Sequence, residues 1–353
     1  MRPYCSKPLH ISCILLLLSV TVHAQKEFFR SKQVFTDDEK NKIYSSLYVS
    51  DSLVIFNAID YNLYAYDKRT GSLKWTYETR FKTNHPVFVY GNEVYAGIYS
   101  SKEEWAATID ARSGKLIKIL PFGPLSSKPI IKNRKLYGTA IYEFGCIIAY
   151  DMDKDTVTWS RFIAHGYEAQ PYYFDDKIIA NAEGNNWVEI GYDGTWLDST
   201  CVDKAEIFVE SIPCIKKFKG LTHDRLEIDE KIAENIFDDS YARPGILTTD
   251  KLTFSLYDGK LTVIGDKLQI KQRLEIPTLS RKLPPTGKGK LLKVENENVW
   301  FLFGDFLVQY DHKLKKLVKL TDLTKWEPHV VVLDNNNAWL ISRKDGLLYG
   351  LSL

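Results

Sequence analysis

The sequence predicts an all-β fold, a β-propeller in which four-stranded blades form a ring. Two beats in the chain predict it. Aspartates close β-rich runs at Asp67, Asp110, Asp151, Asp193, Asp266 and Asp311, at intervals of 43, 41, 42, 73 and 45 residues. Prolines open apolar runs at Pro86, Pro129, Pro171, Pro244 and Pro328 at intervals of 43, 42, 73 and 84, with Pro285 inside the last. Both markers share one long interval, so a single period near 42 residues carries one insertion. A third observation agrees. With 21 Tyr, 17 Phe and 8 Trp, the composition favours strands over helices.

The elements follow in chain order. MRPYCSKPLH is basic without an acid, and ISCILLLLSVTV (11–22) is apolar but short for a membrane span. Val22, His23 and Ala24 complete a secretory signal over residues 1–24, so the mature chain is expected to begin near Gln25 and to be secreted or periplasmic. Cys13 stands at the start of the apolar run, which does not suit lipid attachment, and no later stretch has membrane-spanning length. The chain holds 47 Lys plus Arg against 45 Asp plus Glu. Arg2 and Lys7 leave with the signal, so the mature protein is formally neutral and has no general reason to bind nucleic acid.

Residues 25–353 are read as the propeller. AYDKRTGSLKW (65–75) aligns without a gap on AYDMDKDTVTW (149–159), and TIDARSGKLIK (108–118) is a third copy. The aspartate of each copy, with the Thr-Gly of 65–75 or the Ser-Gly of 108–118, supplies turn chemistry between two strands. Proline suits the first residue of a strand, where no ladder donor is lost. Each unit therefore reads as four short strands. The last, EPHVVVLDNNNAWLISRKDGLLYGLSL (327–353), ends within its third strand, because YGLS (349–352) matches YAYD (64–67). EFFRSKQVF (27–35) is expected to supply the missing outer strand and so remove an exposed sheet edge. The count is seven blades, or eight if residues 201–240 hold a degenerate one.

The insertion, 201–240, has another texture. HDRLEIDEKIAENIFDD (223–239) spaces Ile228, Ile232 and Ile236 on one helical face, with Thr222 as N-cap. The preceding loop is expected to be closed by a Cys201–Cys214 disulfide, leaving Cys146 a buried thiol; three reduced thiols are the alternative. The segment is read as an excursion packed on the ring, with a docking role for a partner as the sharper alternative.

The run LYAYDKRTGSLKW (63–75), with the strand-opening prolines, resembles the repeat of quinoprotein-type (PQQ-like) β-propellers. That resemblance implies a tryptophan between adjacent blades, filled by Trp75 and Trp159, whereas Lys118 stands at the tryptophan position of the second copy and Asp155 at the glycine position of the third. The family includes pyrroloquinoline-quinone dehydrogenases and also non-enzymatic scaffolds such as the propeller lipoprotein of the outer-membrane assembly machine. The dehydrogenases are longer and commonly carry adjacent cysteines, and no Cys-Cys pair occurs here.

Two function classes remain. The leading one is an interaction scaffold, monomeric and without a cofactor, binding an envelope protein, peptide or glycan at one face of the ring. The alternative is a channel-centred enzyme, either a quinone oxidoreductase using PQQ with calcium or one acting on polysaccharide. His85, His165, His223, His312 and His329 show no metal-ligand spacing. The candidate binding set comes from geometry. The residue before each marker proline should point to one mouth of the channel, which selects His85, Lys128, Gln170, Arg243 and Glu327, with Pro284 interrupting the series. Lys128 and Arg243 would favour an anionic group, and His85 and Glu327 would exchange protons or pair with them. The plainer reading is that strand starts at a propeller face are wet.

Overall fold

The computed structural model describes residues 25–32, 47–58, 60–80, 86–142, 144–164, 171–182, 186–199, 246–249, 252–257, 259–265, 270–287 and 289–353. Among these, the chain forms seven four-stranded antiparallel sheets, the blades of a propeller. Blades 1 to 6 span residues 47–78, 88–119, 130–164, 172–199, 246–275 and 289–322, each running from inner to outer strand in chain order. Blade 7 is composite. Pro328–Asp334, Asn337–Ser342 and Leu348–Ser352 are its first three strands, and Lys26–Arg30 is the fourth. Lys26 pairs with Ser352 and Arg30 with Tyr349, so the two ends of the chain close the ring as the sequence predicts. The signal segment and the insertion, including its expected helix and the Cys201–Cys214 pair, lie outside the described residues. So does Asp266.

Alternating strand direction gives the ring two faces. One carries the turns between first and second and between third and fourth strands; we call it the turn face. The other carries the turns between second and third strands and the connections between blades, and is the connection face.

The recurring aspartates hold the turn face together. Asp67 Oδ1 accepts hydrogen bonds from the Arg69 and Thr70 backbone N–H and from the Thr70 hydroxyl, at 3.1, 2.9 and 3.0 Å. Asp110 repeats the pattern with Arg112 and Ser113 at 3.2 and 2.7 Å. Asp151, Asp193 and Asp311 cap their turns in the same way. These N–H donors lower the carboxyl pKa of Asp67, Asp151 and Asp193, and at Asp110 the Ser113 hydroxyl is the leading cause. A residue with this task in five blades is structural.

Between blades, the repeat builds a joint from an outer strand to the next blade's turn. Trp75 of blade 1 is buried, and its indole N–H donates to the Ala111 carbonyl of blade 2 at 2.9 Å. Its ring lies on Gly114, where an added Cβ would sit 2.7 Å from the indole, and Gly114 has a φ of +70°. Trp159 does the same to blade 4, donating to the Tyr192 carbonyl at 3.2 Å and covering Gly194. At the closure Phe29 takes the tryptophan's place, and its ring lies 3.0 Å from the Cβ position of Gly71. Between blades 2 and 3 both residues of the joint change together. Lys118 Nζ contacts Asp155 Oδ1 at 2.8 Å and the Tyr150 hydroxyl at 2.9 Å. The apolar pair has become an ion pair, so two apparent lapses of the repeat are one substitution of joint chemistry.

The hydrogen bonds from Lys118 and Tyr150 hold the Asp155 carboxyl below its usual range. A carboxyl with a depressed folded pKa contributes stability above its unfolded pKa, and that contribution is lost as pH falls through the folded value. The double substitution Lys118→Trp with Asp155→Gly restores the neighbours' joint. We expect it to match the parent near neutral pH and to melt higher than the parent below about pH 4, where the ion pair protonates. Thermal melts across pH check this; a gap that shrinks in acid would refute it.

Among the described residues, apolar clusters fill six of the seven seams. Phe29 and Trp339 lie between blades 7 and 1, Trp75 and Ile109 between 1 and 2, and Phe122 and Tyr150 between 2 and 3. Ile147 and Val188 lie between 3 and 4, Phe254 and Phe301 between 5 and 6, and Leu307 and Trp326 between 6 and 7. Nearly all the core therefore sits between blades, which is why the ring's stability depends on the joints.

Candidate functional site

The candidate site is the connection face around the marker prolines. Pro129, Pro171 and Pro328 are buried at the start of their inner strands, and Pro86 stands two residues ahead of Phe88–Tyr90. Pro285 is exposed and precedes its strand by four residues. Of the five candidate residues, the structure describes Lys128 and Glu327; His85, Gln170 and Arg243 lie outside the described residues.

Lys128 is built into an unusual stretch. The connection from blade 2 to blade 3 is buried from Phe122 to Pro129 except at Lys128 itself, which is exposed. The stretch runs beside blade 3, where Gly123 N–H donates to the Ile141 carbonyl at 2.7 Å and Ser126 N–H to the Thr139 carbonyl at 2.9 Å. The Ser127 and Thr139 hydroxyls bond at 2.5 Å, and Pro129 lies against Gly138, 3.1 Å from where a Cβ would be. The Tyr173 hydroxyl of blade 4 donates to the Tyr137 carbonyl at 3.2 Å and reaches the Lys128 carbonyl at 3.4 Å. Burial raises the Tyr173 pKa, which keeps it a neutral donor. The lysine's backbone is thus fixed from both neighbouring blades.

Lys128 reaches water, yet the surrounding protein lowers its pKa by desolvation. Accessibility and desolvation coexist where a side chain lies in a concavity, open to water on one side and walled by protein on the others. The charged ammonium is therefore less well solvated in the folded protein than in the unfolded chain, a cost that is present in full wherever both states carry the proton.

Glu327 is exposed and adopts a φ of +47°, a left-handed conformation that non-glycine residues rarely take. Backbone bonds hold it there. Glu327 N–H donates to the Leu323 carbonyl at 3.2 Å, and its own carbonyl accepts from Arg343 N–H at 2.9 Å.

Aromatic residues on the same face were not singled out from the sequence. Tyr61, Tyr99 and Phe144 stand at the turns between second and third strands of blades 1, 2 and 3, and are 43, 42 and 51% exposed. Phe144 packs edge-on against Phe162, with centroids 5.4 Å apart. The signal that could have found them is an aromatic residue at the same hairpin in three successive repeats.

The quinone alternative has a specific requirement. Among the described residues, no group of three His, Cys, Asp or Glu comes together as a metal site. The repeat tryptophans are occupied in joints between blades.

Comparison with known proteins agrees with the fold. A family model described as outer membrane protein assembly factor BamB matches residues 29–190, from the closing strand into the third strand of blade 4. The crystal structure of BamB from Moraxella catarrhalis is similar at 14% identity over 87% of this chain and 82% of that one, with a TM-score of 0.50. A computationally designed protein, Ika8, is similar at 11% identity over 94% of this chain and 100% of that one, with a TM-score of 0.56. No curated protein matches. The chain is a seven-bladed propeller carrying the quinoprotein-like repeat that its sequence resembles.

Proposed function

We propose that this chain is an exported interaction scaffold, a monomeric propeller that binds a polypeptide partner of the cell envelope at its connection face. The observation that carries the reading is Lys128, exposed on an otherwise buried connection, at the face that also carries the exposed Tyr99 and Phe144. Aromatic residues around a partly desolvated charge are the usual composition of a protein-binding patch, because large rigid rings bury area at low entropic cost. A glycan ligand would use the same rings, and the experiment separates the two. Residues 1–24 read as a cleaved secretory signal, so export is part of the reading. The likeness to the BamB family model supports an envelope setting. Arg243 joins Lys128 as the anion-favouring pair, with His85, Gln170 and Glu327 completing the set.

The test is replacement of Lys128 and Arg243 by alanine in the mature protein. We expect partner recovery from native envelope to fall at least tenfold while the melting temperature stays within about 2 °C, since surface changes of this kind are nearly neutral to stability. Recovery equal to the parent's would refute the site. Protease treatment of the envelope should abolish recovery, and survival of binding would indicate a glycan instead.

A further inference from the structure

One seam departs from the other six. Strand alternation sends Ile178, Val188 and Ile190 of blade 4 into the cluster shared with blade 3, so Lys177, Ile179 and Glu189 face blade 5. Asp198 lies opposite Glu189 on the neighbouring strand, past a register shift, and faces the same way. From blade 5, Phe254, Leu261 and Val263 are committed to blade 6, which leaves Ser255, Thr262 and Ile264 toward blade 4. Among the described residues this seam holds two buried carboxylates, Glu189 at 4% exposure and Asp198 at 6%, where every other seam holds an apolar cluster.

The polar seam is incompletely satisfied. Lys177 Nζ contacts Glu189 Oε2 at 2.9 Å, and Glu189 Oε1 is buried without a hydrogen-bond partner. A carboxylate with one bare oxygen regains solvation whenever water enters, so opening this seam recovers free energy that opening an apolar seam forfeits.

We infer that the propeller opens at the seam between blades 4 and 5, which serves as the ring's hinge while the other six seams and the terminal closure stay shut. The inference goes beyond the proposed function and does not depend on any partner. Opening here is a local event of low free energy set against a ring otherwise held by buried apolar joints.

Thiol exchange under native conditions tests this, because the chain carries its own control. Cys146 is a buried thiol in the seam between blades 2 and 3, its Sγ 3.4 Å from the Tyr142 carbonyl. Ser255→Cys places a second thiol, of similar size, in the seam between blades 4 and 5. Peptide-resolved labelling, with each site normalised to its rate in the denatured chain, should show Cys at 255 reacting at least about tenfold faster than Cys146. Adding Lys177→Met and Glu189→Leu removes the ion pair and the bare carboxylate oxygen at similar volume and should slow that reaction by a similar factor. Equal normalised rates at the two sites, or a rate at 255 that the apolar pair leaves unchanged, would overturn the inference.

Discussion

Deleting residues 25–36 should destabilise the mature protein by several kcal/mol, on the order of losing a packed strand with its aromatic anchors. The loss would be felt on both sides of the closure. Lys26–Arg30 pairs with Leu348–Ser352, so its removal leaves the third strand of blade 7 as an open edge. Phe28 packs edge-on against Trp339 at 5.3 Å, and Phe29 packs against both Trp339 and Tyr66 at 5.3 and 5.2 Å. Phe29 also covers Gly71, the turn glycine of blade 1. Beyond the strand, the Ser31 backbone N–H donates to the Leu348 carbonyl and the Ser31 hydroxyl accepts from Leu348 N–H, at 2.9 and 3.0 Å. Lys68 and Asp334, 2.9 Å apart across the same seam, would remain as a partly exposed ion pair that contributes little by itself. Urea titration measures the effect, and the deletion should also raise aggregation through the freed edge. A truncated protein that unfolds within experimental error of the parent would show that the termini do not close the ring.

Trp75→Ala should cost about 3–5 kcal/mol, the range for removing a large buried aromatic side chain. The indole contributes three things at one point. It fills the seam with Leu53, Ile55 and Ile109, it satisfies the Ala111 carbonyl, and it roofs the turn at Gly114. The reciprocal change is as informative. Gly114→Ala forces a Cβ to 2.7–2.9 Å of the indole and strains a φ of +70°, so about 2–4 kcal/mol should be lost. Because both substitutions break one joint, the double mutant should lose clearly less than the sum. Gly91→Ala is the control, since it shares the positive φ of +61° but has nothing within 4 Å of its Cβ. Its cost should be about 1 kcal/mol, from backbone strain alone. Equal costs at Gly91 and Gly114 would show that the tryptophan roof contributes nothing.

How far the sequence foretold this structure depends on the distance over which each signal acts. Asp67, Asp110 and Asp151 act on backbone N–H groups two and three residues ahead, so their role was legible in the local pattern. The proline beat likewise marked the strands that line the ring. Phe29 was legible only as part of a closing strand. Its service as a tryptophan equivalent depends on Gly71, contributed by another blade. Lys118 and Asp155 each looked like decay of the repeat, because the pairing that explains them crosses a seam. Two departures at one joint of adjacent copies were the available sign.

The functional face was legible in part. The rule that selected the residue before each proline reached Lys128, but the sequence could not show that Phe122–Pro129 is buried around it, since burial of a connection is decided by tertiary packing. It passed over Tyr61, Tyr99 and Phe144 because attention to inner strands ignores the hairpins beside them. The polar seam between blades 4 and 5 was invisible for a related reason. Glu189 sits in a run, Trp187–Ile190, that reads as an ordinary apolar strand until its facing is known.

Face-resolved crosslinking tests the central claim most directly. A photoreactive side chain placed at Tyr99 or Phe144 on the connection face is compared with one at Arg69 or Asn335 on the turn face, in protein returned to its native envelope. The account predicts one discrete polypeptide adduct from Tyr99 and Phe144, lost when Lys128 and Arg243 are replaced by alanine, and none from Arg69 or Asn335. Adducts from the turn face alone, or adducts from both faces that persist in the alanine variant, would contradict it.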